Sequence, residues 1–189
     1  HTRLVSDWSS RSVLFRSGLG MGSGHLAGYL AHPDVEVVAI ADRREDRRAL
    51  LPERHPTFHG KVYHEGIEMI EKEQLDIISV AVPNDQHKPL TIAALESGAN
   101  VLCEKPMALN AQEAQEMLDT AKRLGKKLGI DFSYRFNPQS RAMKDLIDLG
   151  TLGEIYYGRS VWFRRRGIPR TCRCELQHRI RRADGLLVL

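Results

Sequence analysis

Glu104-Lys105-Pro106 places two opposite charges and a backbone constraint directly after a short apolar run, Asn100 to Cys103. A run of that kind reads as a buried strand. In an open parallel α/β sheet, ligands sit at the carboxyl ends of the strands. A lysine at such an end can bind an anion or move a proton. Desolvated in a cleft, it would exchange protons near neutral pH. The plain alternative is a solvated Glu-Lys turn that Pro106 ends. Upstream, Gly18-Leu-Gly20-Met-Gly22-Ser-Gly24 precedes an apolar helical stretch through Leu26, Ala27, Tyr29 and Leu30. A glycine-rich turn lets the backbone approach a pyrophosphate, and the helix behind it offers free N–H groups. The pattern is Gly-x-Gly-x-x-Ser, which a merely flexible loop could also carry. Asp42 follows Gly20 by 22 residues, near the roughly 20 expected of a carboxylate on an adenosine ribose. An ordinary polar strand end is the alternative. Asp42 favours NAD. Arg43 keeps NADP open, because a guanidinium there can stack on adenine or hold a 2′-phosphate. Pro83-Asn84-Asp85-Gln86-His87 is a further loop at a strand end. Asn84 and His87 can hydrogen-bond a ligand, or they form a turn and helix cap.

These groups need a scaffold, and the hydrophobic pattern supplies one. Strands are expected at Val35–Ala41, Asp76–Val82, Asn100–Cys103 and Leu128–Phe132, with a damaged first strand within Ser12–Ser17. Helices are expected after Gly24, at Glu45–Arg54, Gly66–Lys72, Leu90–Glu96, Ala111–Leu124 and Arg141–Leu149. A further strand begins at Gly153–Tyr157 and runs toward Phe163. Alternation of strand and helix to about residue 132 predicts an α/β fold with a doubly wound parallel sheet. His55 and His59 read as loop histidines.

Composition limits the function classes. No apolar run approaches the roughly 18 residues of a membrane span, and His1–Ser10 lacks a secretory apolar core. Three cysteines, Cys103, Cys172 and Cys174, give an odd count, which points to a reducing, cytoplasmic compartment. Cys172-x-Cys174 is too little for a zinc site, and no metal is expected. The net charge of +4 belongs to the ends. Residues 159–189 hold nine arginines against Glu175 and Asp184, so residues 18–158 are net acidic. That distribution, without aromatic–basic interleaving, argues against a nucleic-acid partner.

Gly18-Leu19-Gly20, Asp42-Arg43, Val82-Pro83-Asn84 with His87, Glu104-Lys105-Pro106, Tyr134-Arg135-Phe136, and Gly150 with Gly153-Glu154-Ile155 stand in a fixed order. Together they resemble the glucose–fructose oxidoreductase and inositol dehydrogenase family over about residues 18–170. The resemblance implies a dinucleotide-binding Rossmann domain, residues 1–133, and the start of a truncated α+β domain, residues 134–170. An irregular basic tail follows at 171–189. It implies that Gly18, Gly20 and Gly22 serve the pyrophosphate and that Asp42 and Arg43 serve the adenosine end. Pro83, Asn84 and His87 would line the cofactor cleft, Glu104 would lie by the nicotinamide, and Arg135 would join the cofactor-binding set. Lys105 would be catalytic, touching a sugar or cyclitol hydroxyl and assisting proton transfer, with Pro106 after a cis bond. The implied cofactor is NAD, with NADP open, and members are commonly homo-oligomeric.

Departures from the family pattern shape a second reading. The family's downstream Asp-x-x-x-His segment is absent: Asp184 is followed by Gly-Leu-Leu-Val, and His178 precedes it. Half of the expected acid–base machinery is missing, so the chain reads as an inactive enzyme fragment or as a non-catalytic dinucleotide-binding module. Arg181-Arg182-Ala183 is what GC-rich codons for a Gly-Gly-Pro-like run give one base on. Both ends are therefore expected to be out of frame relative to an ancestral gene. Tyr156, Val161, Trp162 and Phe163 are expected to leave an uncovered apolar patch.

Overall fold

The computed structural model describes residues 10–11, 14–15 and 21–161. Eight strands are β1 (Ser10–Arg11), β2 (Leu14–Phe15), β3 (Val35–Glu36), β4 (Ala39–Ala41), β5 (Lys61–Tyr63), β6 (Ile77–Val80), β7 (Asn100–Glu104) and β8 (Leu128–Asp131). Among the described residues the α-helices are α1 (Met21–Leu30), α2 (Glu45–Ala49), α3 (Leu51–Arg54), α4 (Gly66–Lys72), α5 (His87–Glu96), α6 (Ala111–Arg123) and α7 (Pro138–Asp148). Every strand pair is parallel. One ladder runs β2-β6-β7-β8, another joins β4 to β5, and β4 lies beside β2. Strand order therefore reverses at β2, with β4 and β5 on one side and β6, β7 and β8 on the other. That is the doubly wound Rossmann arrangement, a topology in which ligands bind at the carboxyl ends of the strands beside the reversal.

Helices cover both faces because each strand alternates its side chains. Ala39, Ala41, Ile78, Val80, Val101 and Cys103 face one way and pack with Met69 of α4, Ala94 and Leu95 of α5, and Met117 of α6. Ile40 faces the other way, in a smaller cluster with Leu26 of α1, Leu51 of α3 and Ala81.

Three elements differ from expectation for identifiable reasons. The stretch Val35–Ala41 is two short strands, since β3 pairs with β1 while β4 pairs with β5. The break falls where Gly60 crosses: a Cβ there would collide with the carbonyl oxygens of Val37 and Val38. The Glu45–Arg54 helix divides at Leu50, because Pro52 at the start of α3 cannot continue the α2 ladder. Strand β5 carried too weak a pattern to be expected. It has three residues, and both Lys61 and Val62 are exposed.

Elsewhere the ends are set locally. Asn110 accepts a hydrogen bond from the Glu113 N–H at the start of α6, and Gly125 closes that helix at φ 64°. The chain divides into two compact units after Arg135. In the second unit, α7 starts at Asn137-Pro138, with Asn137 accepting from the Gln139 N–H. The strand expected from Gly153 is not formed: residues 155–161 carry no strand assignment. A strand needs a hydrogen-bonded neighbour, and the described residues supply none there. The expected first strand is present at Leu14–Phe15. Trp162, Phe163 and the 171–189 tail lie outside the described residues. Among the described residues no helix is long and apolar enough to cross a membrane.

Candidate active site

Strand alternation brings a polar group together on the α1 face. Ile78, Val80 and Cys103 point into the main core, so Ser79 and Glu104 point the opposite way. Asp131, last in β8, is the register partner of Glu104, last in β7. Two carboxylates thus stand side by side at adjacent strand ends, an arrangement that is repulsive without a partner. The partner is His25, on α1. Its Nε2 lies 3.2 Å from Glu104 Oε1 and 2.9 Å from Asp131 Oδ2. Carboxylates only accept, so Nε2 carries a proton and shares it between them. Nδ1 lies 2.8 Å from Ser79 Oγ. Tyr29 sits one turn along α1, edge-on to the His25 ring at 6.4 Å between centroids. Burial pushes the Tyr29 phenol up; Ser79 opposes that shift, and the Asp131 charge adds to it.

The other Glu104 oxygen, Oε2, accepts from the backbone N–H of Lys105 at 3.0 Å. Both oxygens of a buried carboxylate are therefore held. The turn it holds carries Lys105, and the Lys105–Pro106 bond is cis. Lys105 itself is exposed, so the desolvation considered from sequence is not provided by the described residues. Beneath the turn, His87 is fully buried. Its Nδ1 lies 2.7 Å from the Pro106 carbonyl and its Nε2 lies 2.9 Å from the Val82 carbonyl. His87 thus ties the loop after β7 to the loop after β6. Pro83 is exposed and Asn84 half-buried in the same loop.

Asp42 lies just beyond β4, on the far side of the reversal. Its Oδ1 accepts from the Arg44 N–H at 2.8 Å, and Arg47 is 4.0 Å from Oδ2. Arg43 Nε donates to both oxygens of Glu65, at 2.8 and 2.9 Å. Gly22 is buried in the first turn of α1; Gly18 and Gly20 lie outside the described residues. Next to Gly22, Ser23 Oγ is 2.9 Å from Nε2 of the buried His55. Arg135 lies over the Phe132 ring at 5.9 Å.

Sequence reasoning singled out Glu104 and Lys105 but not His25, Ser79, Tyr29 or Asp131. One signal was present: Ser79 is the polar residue inside an apolar buried strand. His25 gave none, because its role depends on a helix crossing three strand ends. His25, Glu104 and Asp131 also bring ligand atoms within 4.8 Å of one another, close enough for a cation. With a proton on Nε2, the three groups form a proton-bridged carboxylate pair. Cys103, behind Glu104, has its thiol pushed up to about 11 by burial, so it is no nucleophile.

The family model described as an oxidoreductase family with an NAD-binding Rossmann fold matches residues 17–132. The chain belongs to that family. A D-glucoside 3-dehydrogenase of Escherichia coli is 37% identical over 159 residues, covering 84% of this chain and 45% of the relative. The crystal structure of myo-inositol 2-dehydrogenase from Lactobacillus plantarum superposes with a TM-score of 0.71 at 25% identity, covering 77% of this chain and 43% of that one. A 3-ketoreductase from Actinomadura kijaniata, in complex with TDP-benzene and NADP, gives a TM-score of 0.65 at 30% identity, with 77% and 44% covered. This member spans less than half the length of each. Its fold is the family's Rossmann dehydrogenase fold, and its relatives are sugar and polyol dehydrogenases.

Proposed function

We propose that this chain binds a nicotinamide dinucleotide across the strand reversal and serves hydride transfer between its nicotinamide and a sugar or cyclitol hydroxyl. The observation that carries the reading is the Glu104-Lys105 turn, held on both Glu104 oxygens at the end of β7, with Asp42 across the reversal. The residues fit such a cofactor. Asp42 keeps lone pairs for a ribose, and a negative pair at β7 and β8 suits a ring that is cationic when oxidised. The cofactor, when bound, supplies the hydride chemistry. NAD is favoured over NADP, because Arg43 is already paired with Glu65. Gly18, Gly20 and Gly22 serve the pyrophosphate. Pro83 and Asn84 border the cleft, His87 props it from beneath, and Arg135 serves the cofactor side. Lys105, exposed at the strand end, reaches the substrate hydroxyl and moves its proton. Free, buried Cys103 suits a cytoplasmic setting, and the family habit supports homo-oligomers.

The test is nicotinamide absorbance over a panel of sugars and cyclitols with the full chain. Turnover should fall on the order of a hundred-fold or more in Lys105→Met, with cofactor affinity within a factor of about three. A second reading, a binding module without catalysis, is favoured by the solvated Lys105 ammonium. Saturable cofactor binding with no turnover on any substrate establishes it and overturns the first.

A further inference from the structure

The His25 cluster has more charge than holding a lysine turn requires. Glu104 is tied to the Lys105 N–H by one oxygen and to His25 by the other. Asp131 adds nothing to that grip, yet it places a second carboxylate in direct register with Glu104. The cost of two partly buried like charges within 4.8 Å is met by a single shared Nε2 proton. The hydroxyl behind the ring suits this. Ser79 can donate to Nδ1 while Nε2 donates to the carboxylates, with the imidazole neutral and the cluster doubly negative. Reversing the Ser79 hydroxyl accommodates a charged imidazole, and the cluster stays singly negative. In both states it presents net negative charge at the ends of β7 and β8.

We propose that the Asp131–His25–Glu104 cluster selects the redox state of the bound cofactor, and that Asp131 is the residue that biases binding toward the oxidised, cationic nicotinamide. This rests on the dinucleotide reading above. A dinucleotide that spans the reversal, with its adenosine half at Asp42 beside β4, carries its second half to the β6–β8 side. The oxidised ring bears a positive charge and the reduced ring does not. A fixed negative charge nearby therefore stabilises one form only, and a low-dielectric cleft enlarges the difference. Asp131 is well suited to the role because it is half-buried and takes no part in holding the Lys105 N–H.

The experiment compares Kd values of NAD+, NADH and ADP-ribose for the unmodified chain and for Asp131→Asn, which removes the charge and keeps the shape. ADP-ribose lacks the nicotinamide and reports the adenosine half alone. The unmodified chain is expected to bind NAD+ more tightly than NADH. In D131N the ratio Kd(NADH)/Kd(NAD+) should fall roughly five-fold, with ADP-ribose affinity unchanged. A ratio unchanged in D131N, or tighter NADH than NAD+ in the unmodified chain, overturns the proposal; the second readout needs no variant. If the unmodified chain binds ADP-ribose and both cofactors without discrimination, only this proposal fails. If it binds none of the three, the dinucleotide reading fails with it.

Discussion

His55 shows how one side chain can couple the glycine turn to pH. It is buried, and burial pushes its imidazole below the usual histidine range, with the Arg54 charge adding to the shift. A base with a lowered folded-state value is most comfortable neutral. Its contribution to stability is therefore fully present above the unfolded value of 6.5 and is lost as pH falls from there toward the folded value. Ser23 Oγ lies 2.9 Å from Nε2 of this ring. The thermal midpoint of the unmodified chain should drop between about pH 7.5 and about pH 5.5 by more than that of His55→Gln. Equal drops in the two proteins would show that His55 protonation is not coupled to folding. The other residue-scale result is Lys105. Its prediction, a turnover loss with cofactor binding retained, separates a proton-moving lysine from one that merely shapes the cleft.

At the scale of elements, the sheet was legible wherever strands were apolar and buried. Ile77–Val80 and Asn100–Glu104 needed only their hydrophobic runs. Pro52 broke a helix that charge pattern alone left continuous, and β5 was missed because an edge strand of three residues buries little. The candidate site was legible where its residues follow one another in sequence, as in Glu104-Lys105-Pro106. It was not legible where it depends on three strand ends meeting one helix, as with His25, Ser79 and Asp131. Strand β4 and the turn before β5 also depend on Gly60. Gly60→Ala drives a methyl group against the carbonyl oxygens of Val37 and Val38. The expected cost is about 2–4 kcal/mol, read from denaturant unfolding. A loss below about 0.5 kcal/mol would mean that the crossing relaxes freely.

For the whole molecule, charge and apolar surface are unevenly placed. The net positive charge is carried by the ends, while residues 18–158 between them are net acidic. In the second unit, Tyr156 is 96% and Tyr157 72% exposed, with Ile155 at 49%. Apolar surface of this kind drives association. Sedimentation at micromolar concentration should show oligomers, and a clean monomer would contradict that.

The central claim is that the crevice at the strand reversal holds a dinucleotide. Calorimetric titration of the full chain with NAD+ tests it most directly. One saturable site, with NADP+ binding more weakly, is the predicted result. Absence of saturable heat with either dinucleotide, from a chain whose unfolding is cooperative, would contradict it.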